Sequence, residues 1–346
     1  MQVAFLAGSG NTRGYLHDPA FIYRCENLAH ALRARGITAE LGHSLAWRAS
    51  RAPDCVVVHR PRVSFALWRL VRRLRAQRVR LVADVDDLVF DESKAAFSPA
   101  VLNGRVPLWL QRRRFREHRG ALRWFDHLTT STETLAEHLH RCCPGKPVTV
   151  LHNAVHWHWR HTAQPTDGVR RVTGVITYLP GTRSHDRDFA LVREPLSRFL
   201  RTHPEVRLRV TGPVEFRLDV PAAQVTRGPR DRFAGYERQF QDAWVNLAPL
   251  EDTPFNACKS ALKALEAGYW GVPTICSPNP DYARFAAAGA LVAANPEDWL
   301  VRLEQLLDEP HYRRTVDGLR ARTLALADVE RTAADFVEHL LGPGSP

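Results

Sequence analysis

The sequence predicts an α/β protein of two facing halves built on parallel strands, with an interdomain cleft. Two observations predict it. Short apolar runs alternate with longer segments of helical period, and that alternation lapses near the middle of the chain and then restarts. Size agrees: 346 residues exceed what one hydrophobic core usually serves. With 45% apolar and 25% charged residues, the mix is ordinary and fills two cores.

In the first half, Val3 to Ala7 reads as a strand and Phe21 to Arg35 as a helix closed by Gly36. Cys55 to His59 and Leu81 to Val85 read as strands, with a helix from Ser64 to Gln77 between them. His127 to Thr130 leads into a helix that Ser131 or Thr132 can cap, with Glu133 in the first turn where the dipole favours it. Val148 to Leu151 completes residues 1–155. Residues 156–170 are polar and poorly periodic and read as a connector, with Trp157 and Trp159 packing between domains. The pattern restarts over residues 171–325. Val172 to Tyr178, Val206 to Thr211, Ala243 to Leu247 and Val272 to Cys276 read as strands; Arg187 to Thr202 and Trp299 to Leu307 read as helices. Residues 326–346 hold a last helix, Arg331 to Leu341, and a fraying tail. Ligands in such folds bind beyond the carboxyl ends of the strands.

No apolar run is long enough to span a bilayer, and Met1 to Gly10 lacks the basic start of a signal peptide. The six cysteines are scattered without metal-ligand spacing, so a reduced, cytoplasmic protein is expected. The formal net charge of +11 is nearly all arginine. One cluster (Arg69, Arg72, Arg73, Arg75, Arg78, Arg80) interleaves with Phe65, Leu67, Trp68 and Leu70; a second runs from Arg105 to Arg123. A solvated outer face fits these clusters, and so does peripheral contact with an anionic membrane surface. No nucleic-acid module is present.

The most informative stretch runs from Asn246 to Gly268. A strand ends at Pro249, a loop follows, and a helix is expected to begin near Asn256 to Ser260 and to close at Gly268. Its amino end suits a diphosphate, with Lys259 and Ser260 adding a cation and a hydroxyl. Glu266 lies about two turns further, ~10 Å along the same face, within reach of ribose hydroxyls. A surface helix with a Lys263–Glu266 pair fits the same spacing.

This stretch, together with Tyr178 to Phe189, resembles the C-terminal half of bacterial family 4 (group 1) glycosyltransferases. Asp84 to Asp91, Leu151 to Val155 and Gly271-Val272-Pro273 are similar to further segments of that family. The resemblance implies a GT-B fold of two Rossmann-like domains, with a nucleotide-sugar donor (UDP-, GDP- or dTDP-sugar) in the C-terminal domain and the acceptor in the N-terminal one. It also implies transfer with retention of configuration, without a cofactor or metal. Carried over by position, Glu266 matches the ribose-binding glutamate, and Asn256, Lys259 and Ser260 fall in the donor-binding segment. Gly181, Thr182, Arg183 and His185 match the loop that faces the donor, with Arg183, Lys259 and His185 as the catalytic group. The chain departs from the pattern at Cys258, where many relatives have a second glutamate, and at Pro180, where many have serine. Family analogy suggests a surface glycan, lipid-linked saccharide or secondary metabolite as acceptor.

On the acceptor side, Asp84, Asp87, Arg60 and Gly10 are candidates. Asp84-x-Asp86 also fits a metal-binding pair of GT-A transferases, and an acidic turn fits as well. Gly8-Ser9-Gly10 resembles a dinucleotide fingerprint, but its third glycine comes one residue late. A binding protein that keeps the scaffold without transfer activity, and nucleotide-sugar epimerisation, are the other readings.

Overall fold

The computed structural model describes residues 1–8, 12–48, 51–161, 174–181 and 185–342. The chain divides into two compact units: Met1–Thr162 with Cys258–Ser260 and Ala327–Pro346, and Ala163–Ala257 with Ala261–Leu326.

The first unit holds a six-stranded sheet of β1 (Gln2–Ala7), β2 (Thr38–His43), β3 (Cys55–His59), β4 (Arg80–Val85), β5 (His127–Thr130) and β6 (Val148–Val150). Its order is β2-β1-β3-β4-β5-β6, parallel throughout. Parallel sheets are covered on both faces, so central strands are apolar residue after residue, and β3 is buried along its whole length. The order reverses between β1 and β3, the switch point where such sheets take ligands. There Gly8 N–H donates to His59 O at 2.7 Å. A Cβ on Gly8 would stand 2.8 Å from Pro61 Cα, so this crossing admits only glycine.

The C-terminal helix, Val329–Leu341, buries Val329, Ala333, Phe336 and Leu340 in the same core as Phe5, Leu28 and Leu32. Phe336 and Phe5 lie 5.7 Å apart, centroid to centroid. The domain expected over residues 1–155 therefore takes in the segment that the sequence pattern sets apart at 326–346. The connector expected from residue 156 begins instead with a helix, Trp157–His161, and Trp157 packs on the first unit's own core. Residues 162–170 of that connector lie outside the described residues.

The second unit holds β7 (Val175–Tyr178), β8 (Arg207–Thr211), β9 (Val225–Gly228), β10 (Ala243–Ala248), β11 (Thr274–Cys276) and β12 (Ala290–Val292). The order is β12-β11-β10-β7-β8-β9, again all parallel. Counted from β7 this is the doubly wound 3-2-1-4-5-6 arrangement, with its switch point between β7 and β10. The helix expected from Arg187 to Thr202 is two helices, Asp186–Ala190 and Arg193–Thr202. Pro195 lacks the N–H that a continuous helix would need and would clash with the Leu191 carbonyl.

Candidate active site

At the second unit's switch point the organising group is Asp188, on the short helix after β7 and only 4% exposed. One carboxylate oxygen accepts from His185 Nδ1 at 2.7 Å. The other accepts from Glu251 N at 2.8 Å and Asn256 Nδ2 at 3.2 Å. Asp188 thus fixes the His185 ring from the β7 loop and the Asn256 amide from the β10 loop. The resembling segment Tyr178 to Phe189 contains both His185 and Asp188, but the sequence does not show that this carboxylate joins His185 to Asn256. Arg230 donates to Gly181 O at 3.1 Å, placing a further cation beside this loop. Thr182 and Arg183 lie outside the described residues.

The helix after β10 starts later than expected. Asn256–Cys258 is a single 3-10 turn, and the α-helix is Leu262–Tyr269, capped by no side chain. Asp281 accepts the Ala261 N–H at 2.7 Å. Gly268 does not close the helix either. It lies inside the last turn, where a Cβ would stand 2.5 Å from Thr323 Oγ1, and Gly271, at φ +74°, makes the exit. Glu266 is only 5% exposed and accepts from Tyr236 Oη at 3.2 Å. Burial and the Glu266 carboxylate push the Tyr236 phenol well above its usual range, so it stays a donor. A buried carboxylate held this way is a fixed acceptor, unlike the surface partner for Lys263 that the spacing also allowed.

The first unit gathers a charged cluster at the carboxyl ends of β3 and β4. Asp84, 2% exposed, accepts from Arg24 Nη2 at 2.7 Å, His59 Nδ1 at 2.8 Å and Thr129 Oγ1 at 2.8 Å. Arg24 and His59 hold its carboxyl well below the usual range despite burial. An ionised carboxylate only accepts, so His59 carries its hydrogen on Nδ1. His59 Nε2 is buried without a hydrogen-bond partner among the described residues. Arg60 binds Asp86 through two nitrogens, at 2.5 and 2.9 Å, and sits at φ 49°, a region that non-glycine residues seldom enter. Such strain collects at ligand sites. Two arginines thus stand against Asp84 and Asp86, and both carboxylates are engaged by guanidinium groups. Asp84 orients His59 and Arg24 and is too buried to meet an acceptor itself. Gly10 lies outside the described residues.

Cys258–Ser260 group with the first unit. Lys259 Nζ lies 3.0 and 3.1 Å from the Asp87 oxygens, so the expected phosphate cation is paired with a carboxylate that the sequence places among the acceptor-side candidates. Ser260 Oγ accepts from Asn153 Nδ2 at 2.9 Å. Cys258, in place of the second glutamate, is buried, and burial pushes its thiol up to about 12. It stays a neutral thiol and supplies no carboxylate.

Neither a family model nor a curated protein matches the amino-acid sequence. Solved structures do match. The chain superposes on Anabaena HepE, solved with UDP and glucose, with a TM-score of 0.64 at 14% identity over 99% of each chain. It superposes on WaaG, a glycosyltransferase of lipopolysaccharide biosynthesis, with a TM-score of 0.63 at 12% identity over 99% of this chain and 100% of WaaG. The Neisseria meningitidis UDP-GlcNAc 2-epimerase, bound to UDP-GlcNAc, gives a TM-score of 0.55 at 13% identity over 99% of this chain and 100% of that one. The chain spans about half, 54%, of the longer TarM structure. Likeness at this level of identity is a likeness of fold: the chain has the GT-B fold, two Rossmann-like units with parallel six-stranded sheets.

Proposed function

We propose that this chain is a retaining, metal-independent glycosyltransferase that moves a hexosyl unit from a nucleoside-diphosphate sugar to a hydroxyl acceptor. The observation that carries the reading is Glu266: a buried carboxylate, aimed by Tyr236, on the helix after the switch-point strand. A fixed acceptor there suits the two ribose hydroxyls of a donor. UDP-sugars are the first donors to try, since HepE was solved with UDP. As the bond from the sugar carbon to the diphosphate oxygen breaks, negative charge grows on that oxygen. Lys259 and Arg183 meet this charge, and such electrostatic stabilisation commonly contributes more to rate enhancement than any other effect. The acceptor hydroxyl attacks from the same face, and its proton passes to the departing phosphate oxygen. His185, oriented by Asp188, holds the donor sugar. Arg60 and Asp87 serve the acceptor side. The acceptor is a glycan or lipid-linked saccharide, and the arginine-rich first unit meets an anionic membrane surface.

Calorimetric titration with UDP, GDP and dTDP tests the reading. Glu266→Ala removes a hydrogen bond to a charged group, about 1.5 to 3 kcal/mol, so nucleotide affinity should fall roughly 10- to 100-fold in a protein that remains folded. Equal affinity in wild type and variant would remove the ribose role. Cys258 favours a second reading, a nucleotide binder that does not transfer; nucleotide binding without any product from a donor and acceptor panel would select it. Conversion of UDP-GlcNAc to an epimer without acceptor would select epimerisation.

A further inference from the structure

Outside the candidate active site, the first unit brings two histidines and a glutamate together. Glu26 ends a π-helical stretch, Ile22–Glu26, and His30 lies one turn on in the helix Asn27–Ala34, so their side chains share a face. Glu26 Oε1 is 3.6 Å from His30 Nε2. His158 comes from the helix Trp157–His161, its ring centroid 4.7 Å from that of His30. One ligand atom from each of the three lies within 4.8 Å of the other two. Tetrahedral zinc, with bonds of about 2.0 to 2.1 Å to nitrogen and oxygen, sets its ligand atoms about 3.3 Å apart. The Glu26–His30 separation is near that value, and His158, the exposed member of the three, offers a ring nitrogen within 4.8 Å of both.

The backbone beneath is already held. Asn27, 1% exposed, accepts from Trp157 N at 2.7 Å and donates to Ala154 O and Val155 O at 3.2 and 3.3 Å. Trp157 packs on the core. The chain therefore spends little further order in presenting His158 to His30, and pre-ordered ligands bind more tightly than mobile ones.

We propose that Glu26, His30 and His158 bind a divalent transition metal ion, zinc by the chemistry of the set, with water as the fourth ligand. Two imidazoles and a carboxylate suit zinc, nickel or copper; magnesium and calcium prefer all-oxygen shells. The ion ties the helix Trp157–His161 to the helix Asn27–Ala34, at the last described residues before 162. It is separate from the donor chemistry, so chelation leaves nucleotide binding intact.

The test uses the full chain, free of affinity tag and stripped with EDTA. Calorimetric titration with zinc chloride, and visible spectroscopy with cobalt(II), should show one ion per chain in a tetrahedral field, with zinc raising the melting temperature. His158→Ala and Glu26→Gln should each weaken zinc binding at least about tenfold and abolish the cobalt spectrum, while their melting temperatures in EDTA match wild type. His311→Ala, in the second unit, should bind as wild type does. Zinc uptake unchanged in His158→Ala, uptake equally sensitive to His311→Ala, or no uptake by the wild type would each overturn the proposal.

Discussion

Asp84 shows what one residue does for the first unit. It neutralises Arg24, fixes His59 and takes the Thr129 hydroxyl, all in a place nearly closed to water. Removing one partner of such a pair leaves an uncompensated buried charge. Asp84→Asn should therefore cost about 3 to 5 kcal/mol, read as a lower denaturation midpoint in urea. The pH dependence has a definite sign. The folded carboxyl is held below its ordinary value, so its contribution is fully present above about pH 4, the unfolded range, and is lost as pH falls through the folded value. The gap between wild type and Asp84→Asn should be constant from pH 7 to about pH 5 and shrink only below about pH 4. A gap that already closes near pH 6 would assign the linkage to another group.

At the scale of elements, the helix Phe65–Ala76 has two faces. Leu67, Leu70, Val71 and Leu74 are buried, whereas Phe65 is 71% and Trp68 39% exposed. Those two rings stack at 5.6 Å, and the Arg72 guanidinium lies 4.9 Å from the Trp68 centroid. In the second arginine cluster, Arg113, Arg116 and Arg119 meet Glu117 and Glu92, so part of its charge is already answered. Aromatic rings flanked by arginines suit an anionic lipid surface. Vesicles containing phosphatidylglycerol should retain the protein at low salt, and Phe65→Ser with Trp68→Ser should release most of it. Equal retention of the double variant, or equal binding to neutral phosphatidylcholine, would count against this helix. Elements differ in how plainly the sequence shows them. β3 and β10 are buried along their whole length because neighbours cover both their faces, and only His59 and Asn246 break their apolar runs. β2 and β9 sit at sheet edges, where Thr38, Glu40, Thr226 and Arg227 are tolerated, so no apolar run marks them. β12 is three residues long, too short for any period. The Lys259-to-Glu266 spacing points to the right helix, but its start depends on Asp281 taking the Ala261 N–H, a partner twenty positions away in sequence. Tyr236 and Arg24 carry no such signal because burial and long-range pairing, not residue type, give them their roles.

For the whole molecule, the decisive feature is the return of the last helix to the first unit. Val329, Phe336 and Leu340 fill that core, and burying side chains of this size stabilises by about 1.5 to 3 kcal/mol each. The sum approaches the whole stability of a typical domain, about 5 to 15 kcal/mol. A chain ending at Leu326 should thus lose the cooperative melting of its first unit and be cut by protease within residues 1–161, while the second unit melts as before. Intact protection of the first unit would refute this. The same feature sets an order for biosynthesis. While the ribosome is still making the second half, the opening half must wait with an apolar groove uncovered, and only the emergence of Leu340 from the exit tunnel lets it close. The portion translated first is the portion finished last, and holding chaperones have that interval in which to act.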